Sequence, residues 1–318
     1  LINGSTIQCK SAEIPDHLRS EDVDLVVCDE AAFMNEEAWY AIQTTLTKTR
    51  GRGVFISTPK GKNWFYDLYK KGLEDKTGTY RSFLFPTSAN KYIDLKEIED
   101  AKGRLPKKQF EMDYLAVFAD DYGSVFDGDA IRLSIDDSII LEPVADDVYV
   151  VGADIGRHED ATVLTALNQK SQVKGFKYIP PNTADWNDIP ILIKDFAKHY
   201  NDGLVVIDSG GVGDPIYETL LNDDVPIVPF SISGNREKKA LIHKLAIALE
   251  QGRLHYPNIE VLIEEMKDFG YRVSETTGAV RYGAPHNKHD DCVISLALAV
   301  WYGSEEGELC IGKIRSLY

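Results

Sequence analysis

Val148-Tyr149-Val150-Val151-Gly152-Ala153-Asp154 is a short, β-branched apolar run closed by a carboxylate. Such a run reads as a central strand of an α/β sheet, buried on both faces. Working outward, Leu204-Val205-Val206-Ile207-Asp208 repeats the pattern, and the acidic pair Asp290-Asp291 stands directly before the apolar run Cys292–Trp301. Glycines surround the first two carboxylates: Gly152 and Gly156, then Gly210, Gly211 and Gly213. Gly152 and Gly156 are expected to give backbone room beside bound metal. Carboxylates just beyond strand ends gather on one rim of a sheet, and several together are costly unless cations sit among them. Hard oxygen ligands suit Mg²⁺ or Mn²⁺, and two such ions clamp the attacking and leaving oxygens of a phosphodiester. The pattern points to a metal-dependent nuclease. The alternative, that each Asp caps a helix or forms a turn, stays open for any one of them taken alone.

The bulk properties bound this reading. A length of 318 residues fits about two domains, and 43% hydrophobic with 27% charged residues is ordinary for a globular chain. No apolar stretch reaches the roughly 18 residues that span a bilayer, and no signal peptide is visible. The start at Leu1 is read as the cut end of something longer. Cys9, Cys28, Cys292 and Cys310 show no C-x-x-C spacing, so a reducing cytoplasm is expected, without a zinc site or disulfide framework. The net charge of −16 is uneven: residues 1–120 carry 17 basic and 19 acidic residues, and residues 121–318 carry 18 and 32. An acidic C-terminal part opposes nonspecific DNA binding unless metal ions or another domain offset it.

Residues 1–118 read as strand (Val23–Cys28), helix (Glu36–Thr47), strand (Gly53–Ser57) and helices over Trp64–Lys71, Asp94–Lys102 and Lys107–Tyr114. Residues 119–147 are acidic, with Arg132 their single basic residue, and read as an irregular connection. Strand, hairpin, helix, strand and helix signals follow from 148 to 302, with a turn or short hairpin over Gly278–His289 before the last helix.

Leu25-Val26-Val27-Cys28-Asp29-Glu30 is a strand ending in Asp-Glu, the Walker B pattern. Its Asp helps hold Mg²⁺ on nucleotide phosphates, and its Glu polarises the attacking water. About 25 residues on, Val54-Phe55-Ile56-Ser57-Thr58-Pro59 brings hydroxyls to the end of a neighbouring strand, suited to sensing a γ-phosphate. Residues 1–318 contain no G-x-x-x-x-G-K-[ST] loop, so the phosphate cradle is absent and appreciable ATP hydrolysis is not expected. A plain helix cap remains the alternative for Asp29-Glu30.

The order Asp29-Glu30, Ser57-Thr58-Pro59-Lys60-Gly61, Gly152-Ala153-Asp154-Ile155-Gly156, Asp208-Ser209-Gly210-Gly211-Val212-Gly213 and His289-Asp290-Asp291 resembles the large terminase subunit of tailed bacteriophages. Each motif is loose, but five in order are specific. The resemblance implies an α/β chain: a partial P-loop-type ATPase domain (1–120), an acidic linker (121–147), an RNase H-like nuclease domain with a central mixed sheet (148–304) and a tail (305–318). It makes Asp29 and Glu30 the Walker B pair, with Glu30 catalytic, and Ser57-Thr58 the motif coupling hydrolysis to movement. Asp154, Asp208 and one of Asp290/Asp291 become the nuclease triad. It also implies two Mg²⁺ or Mn²⁺ ions in the nuclease site and ATP-Mg in a full-length protein. Double-stranded DNA, the portal protein, the small terminase subunit and other copies on the portal are its implied partners. The place of work is the host cytoplasm and, transiently, the procapsid portal vertex, with no membrane.

The same residues support finer readings. Asp291, not Asp290, is expected as the third ligand, because Ile294, Leu298 and Trp301 set it above the packed stripe and leave Asp290 nearer solvent. Asp160 either orients Asp154 or a metal-bound water, or is a turn residue. His289 either positions water or phosphate, or is a surface histidine. The basic cluster Asn235-Arg236-Glu237-Lys238-Lys239 reads as a solvated helix start in preference to a DNA-backbone contact, and Tyr282–Lys288 as a loop beside DNA. A junction resolvase of the same RNase H-like class, or a non-catalytic portal or capsid docking module, are the competing functions.

Overall fold

The computed structural model describes residues 4–118, 122–156, 159–210, 213–273, 280–286 and 288–303. Gly211, Val212, Gly278, Cys310 and the tail lie outside them. The chain divides into two compact units. One is Leu1–Lys102 with Lys108–Gly123 and Arg272–Arg281; the other is Gly103–Lys107 with Ser124–Tyr271 and Tyr282–Tyr318.

In the first unit, β1 (Leu25–Cys28), α1 (Glu36–Thr47) and β2 (Arg52–Phe55) form a parallel crossover, with Cys28 beside Phe55. Asn35 caps α1 by accepting the Glu37 N–H, and Glu36 and Glu37 complement the positive end of the helix. Ala38, Ala41, Ile42 and Thr45 are its buried face. α2 (Trp64–Glu74) runs three residues beyond the expected end and is capped by Asn63. Trp39, Phe55, Trp64 and Phe65 pack edge-on or stacked, with ring centroids 4.8–6.4 Å apart. α3 (Leu95–Arg104) and α4 (Lys107–Leu115) follow.

The acidic segment is more ordered than its composition implies. It holds β3 (Tyr122–Ser124) and α5 (Gly128–Leu133), which is capped by Asp127. Val125, Phe126 and Ile131 enter the core of the second unit. The carboxylates line its exposed side and cap its helix, which masks the apolar positions between them.

The second unit is built on β4 (Tyr149–Asp154), β5 (Thr162–Asn168), β6 (Val173–Ile179), β7 (Leu204–Asp208) and β8 (Ile227–Phe230), in the order β6-β5-β4-β7-β8. β4 is antiparallel to β5 and parallel to β7, so the sheet is mixed and changes direction at β4. α6 (Ile189–His199) and α7 (Gly213–Asn222) pack on one face. α8 (Asn235–Glu250), α9 (Glu260–Asp268) and α10 (Asp291–Gly303) pack on the other, after the strands β9 (Gly270–Val273) and β10 (Val280–Gly283) in the case of α10. α10 lies directly on β4: a Cβ on Gly152 would collide with the Ser295 carbonyl oxygen and reach 2.7 Å from the Ala299 nitrogen. The room at Gly152 is therefore taken by a helix rather than left beside bound metal. Ser295 Oγ donates to the Gly152 carbonyl at 3.0 Å and meets Thr165 Oγ1 at 2.8 Å, satisfying the polar groups at this buried contact. Among the described residues, no helix is long and apolar enough to cross a membrane.

Candidate functional site

The pairing of β4 with β7 sets Ala153 beside Ile207, so Asp154 and Asp208 leave the sheet side by side. Strand alternation decides where they point. Tyr149, Val151, Ala153, Val205 and Ile207 enter the core under α6 and α7, whereas Val150 and Val206 enter the core under α8 and α10. Asp154 and Asp208 share the parity of Val150 and Val206 and face the α10 side. There Asp291, the first residue of α10, is 5% exposed and accepts the Ala161 N–H at 2.9 Å through Oδ2. Asp208 Oδ1 accepts the N–H groups of Gly210 and Ile232 at 2.9 and 3.1 Å. Gly213 lets the chain turn against the Asp208 carbonyl, where a Cβ would clash.

Charge repulsion binds these groups into one electrostatic unit. Burial holds the Asp154 carboxyl well above the usual carboxylate range, reinforced by Asp291, Asp290 and Asp208 and opposed by Lys238. Burial also pushes Asp291 up to about 6; the Ala161 N–H opposes this, while Asp160, Glu265 and Asp290 add to it. Carboxylates held this way gain most from a bound cation.

Around this centre the structure adds detail to the finer readings. Asp290 is nearer solvent than Asp291, its side chain 24% exposed against 8%, but it is held: its Oδ2 accepts Lys238 Nζ at 2.8 Å. The α8 start is thus only partly solvated, with Arg236 and Lys239 exposed and Lys238 turned inward. Asp160 lies in the bend before β5, the position of its turn reading. His289 Nδ1 stands 3.4 Å from Asp160 Oδ1 and 3.9 Å from Asp291 Oδ2. Among the described residues, Asp160, His289 and Asp291 are the group whose ligand atoms all lie within 4.8 Å of one another; Asp154 and Asp208 lie outside that group.

Two residues of the site escaped the sequence reading. Lys238 is on the Leu241, Leu245 and Leu249 stripe of α8, and Glu265 lies among Leu262, Ile263 and Met266, the buried face of α9. A charge inside an apolar helical stripe was the available signal.

In the first unit, Asp29 follows β1, and its Oδ1 accepts the Glu30 N–H at 3.1 Å. Glu30 is left-handed (φ 51°), a conformation costly for a residue with a side chain. Ser57 Oγ accepts the Ala32 N–H at 3.1 Å and donates to Glu30 Oε2 at 3.5 Å. The parallel strands therefore bring Asp29, Glu30 and Ser57 together, with Thr58 next in the chain. Lys60 is buried, with its ammonium 4.1 Å from the Phe33 ring centroid and its pKa lowered by burial.

Known proteins resemble both parts of this chain. Residues 1–133 match the family model described as terminase large subunit, T4likevirus-type, N-terminal, and residues 151–302 match the terminase RNaseH-like domain. The large terminase subunit of Thermus phage G20c is 30% identical over 96% of this chain and 66% of its own length. That of Escherichia phage T5 is 31% identical over 52% of this chain and 39% of its own. The chain thus spans just under two thirds of the first of these relatives. The solved large terminase of another thermophilic bacteriophage, in complex with ADP, is 12% identical, covers 90% of this chain and 71% of its own, and has a TM-score of 0.54, a likeness of fold alone. With an ATPase-type crossover in one unit and an RNase H-like mixed sheet in the other, the chain belongs to the terminase large subunit family.

Proposed function

We propose that the second unit is a metal-dependent endonuclease that cuts concatemeric double-stranded DNA during phage genome packaging. One observation carries the reading: Asp154 and Asp208 project from adjacent parallel strands onto the face where α10 begins with Asp291. The donor set consists of hard carboxylate oxygens with one imidazole nearby, which fits Mg²⁺ or Mn²⁺ better than a thiolate-seeking ion. Asp154, Asp208 and Asp291 would hold two ions, with Asp290 in reserve against Lys238 and with Asp160 and His289 at the outer edge. Bound there, the ions would supply Lewis-acid stabilisation of the phosphodiester oxygens and a lowered pKa for attacking water. The chain's own groups do the rest: Ala161, Gly210 and Ile232 N–H groups fix the carboxylates, and the Gly152 contact fixes the helix that brings Asp291.

In the first unit, Asp29, Glu30, Ser57 and Thr58 are the Walker B and coupling elements of a packaging motor. Without a phosphate loop in these 318 residues they do not hydrolyse ATP by themselves. The portal protein, the small terminase subunit and further copies on the portal are the partners this role requires, in the host cytoplasm and at the procapsid portal vertex. The boundaries 1–120, 121–147, 148–304 and 305–318 belong to the same proposal.

Supercoiled plasmid tests it. Nicking that needs Mg²⁺ or Mn²⁺ and disappears in Asp154→Asn is the expected result. Metal-independent nicking, or a strong preference for four-way junctions over linear duplex, would replace this reading with another.

A further inference from the structure

The start of α10 has two acidic residues, and the one best placed to cap the helix does not cap it. The Asp290 carbonyl accepts the Ile294 N–H at 2.9 Å, which makes Asp290 the N-cap residue. An Asp there ordinarily turns its carboxylate onto the N–H groups two and three residues on, here those of Cys292 and Val293. The Asp290 carboxylate instead takes Lys238 Nζ at 2.8 Å. Cys292 and Val293 are fully buried, so their N–H groups need a partner from elsewhere. Glu265, 8% exposed on α9, provides it. Its Oε2 accepts the Cys292 N–H at 2.8 Å and the Val293 N–H at 3.4 Å, and its Oε1 accepts the Cys292 thiol at 3.0 Å.

We propose that Glu265 is a positioning residue of the metal site, capping α10 in place of Asp290. Capping from a neighbouring helix frees the Asp290 carboxylate to face Lys238 and the cluster. It also fixes the first turn, so Asp291 keeps its bond to Ala161 and its place beside Asp154. A carboxylate at a helix N-terminus further favours that end electrostatically. Without Glu265, the Asp290 carboxylate swings back onto Cys292 and Val293, Lys238 loses its partner, and the acidic cluster loses a member. The effect on metal binding rests on the reading given above; the exchange of caps does not.

The test is a double-mutant cycle in the full chain. Glu265→Met keeps the volume and removes the acceptor, whereas Glu265→Gln keeps one acceptor oxygen for the two N–H groups. In the parent, Asp290→Ala removes only the Lys238 pair. In the Glu265→Met background it also removes the substitute cap, and Tm should fall by a further 2–4 °C, roughly the size of one lost cap. Mn²⁺ titration calorimetry gives the second readout. Glu265→Met should weaken metal binding by about 10-fold or more, the scale of an outer metal partner, with Glu265→Gln within about 3-fold of the parent. If Glu265→Met does not fold, Glu265→Asp, one methylene short of the α10 N–H groups, replaces it in both arms. Equal Tm losses from Asp290→Ala in both backgrounds overturn the cap exchange. Parent-like Mn²⁺ affinity in Glu265→Met overturns the positioning role. A parent that binds no Mn²⁺ overturns the positioning role together with the metal reading, and the Tm cycle still decides the cap exchange.

Discussion

At the scale of single residues, the three strand-end and helix-start carboxylates are the groups to which the proposed function assigns the chemistry. Asn at position 154, 208 or 291 keeps the shape and removes the charge, and each should lower Mg²⁺-dependent plasmid nicking by more than about 100-fold, since even outer metal partners cost 10–100-fold. Their shifted titration has a signature in stability. Asp291 titrates at about 6 when folded and near 3.9 when unfolded. The folded state therefore holds the extra proton between those values, and the resulting stability is complete below about 3.9 and lost as pH rises through about 6. Asp154, raised well above the carboxylate range by burial, adds a loss of the same sign. Metal-free protein in EDTA should thus show a Tm that falls from pH 4 toward neutrality; Mg²⁺ should restore it and Asp154→Asn should flatten it. A metal-free Tm that climbs over this range, with no response to Mg²⁺, would remove the electrostatic basis for the site. The carboxylates were legible in the sequence because each ends or opens an apolar run. Lys238 and Glu265 were not, because their partners lie 52 and 27 residues away and only folding brings them together.

At the scale of elements, the close approach of α10 to β4 does most to hold the centre together. Gly152→Ala puts a methyl group into the Ser295 backbone, where no side chain can yield. The substitution should cost at least the 1–3 kcal/mol of an overpacked core and reduce nicking further by lifting Asp291. Urea unfolding and the plasmid assay together would separate the two effects, and a parent-like midpoint would contradict the contact. The order from β4 to α7, the last helix α10 and the helix over Glu36–Thr47 followed from periodicity, whereas β8 and α9 were not read from the sequence. The acidic stretch before β4 misled because its carboxylates are frequent and its core residues are few: the pair Val125-Phe126 and the lone Ile131 reach the core of the second unit. The reason for Gly152 was also hidden, since nothing in the sequence marks which element will come within contact of a glycine.

At the scale of the whole molecule, charge and the missing phosphate loop set the behaviour. Residues 121–318, with 32 acidic and 18 basic residues, should bind duplex DNA weakly, and that binding should fade as salt rises. Filter binding across NaCl concentrations, with and without Mg²⁺, would check it; tight, salt-insensitive binding would contradict it. The same preparation should release negligible phosphate from ATP while nicking plasmid, because residues 1–318 contain no G-x-x-x-x-G-K-[ST] motif to hold the β- and γ-phosphates for Asp29 and Glu30. Vigorous hydrolysis abolished by Glu30→Gln would show that nucleotide is held another way.

The mounting of Asp291 on the first turn of α10 also governs where the chain tolerates changes in length. A residue inserted between Asp291 and Ser295 leaves the helix seated on Gly152 but turns the carboxylate about 100° around the axis and carries it about 1.5 Å along. A residue inserted at Gly283–His286 enlarges a loop and leaves that angle alone. Lineages of this chain should therefore vary in length before the acidic pair and keep a fixed count from it to the serine four positions on.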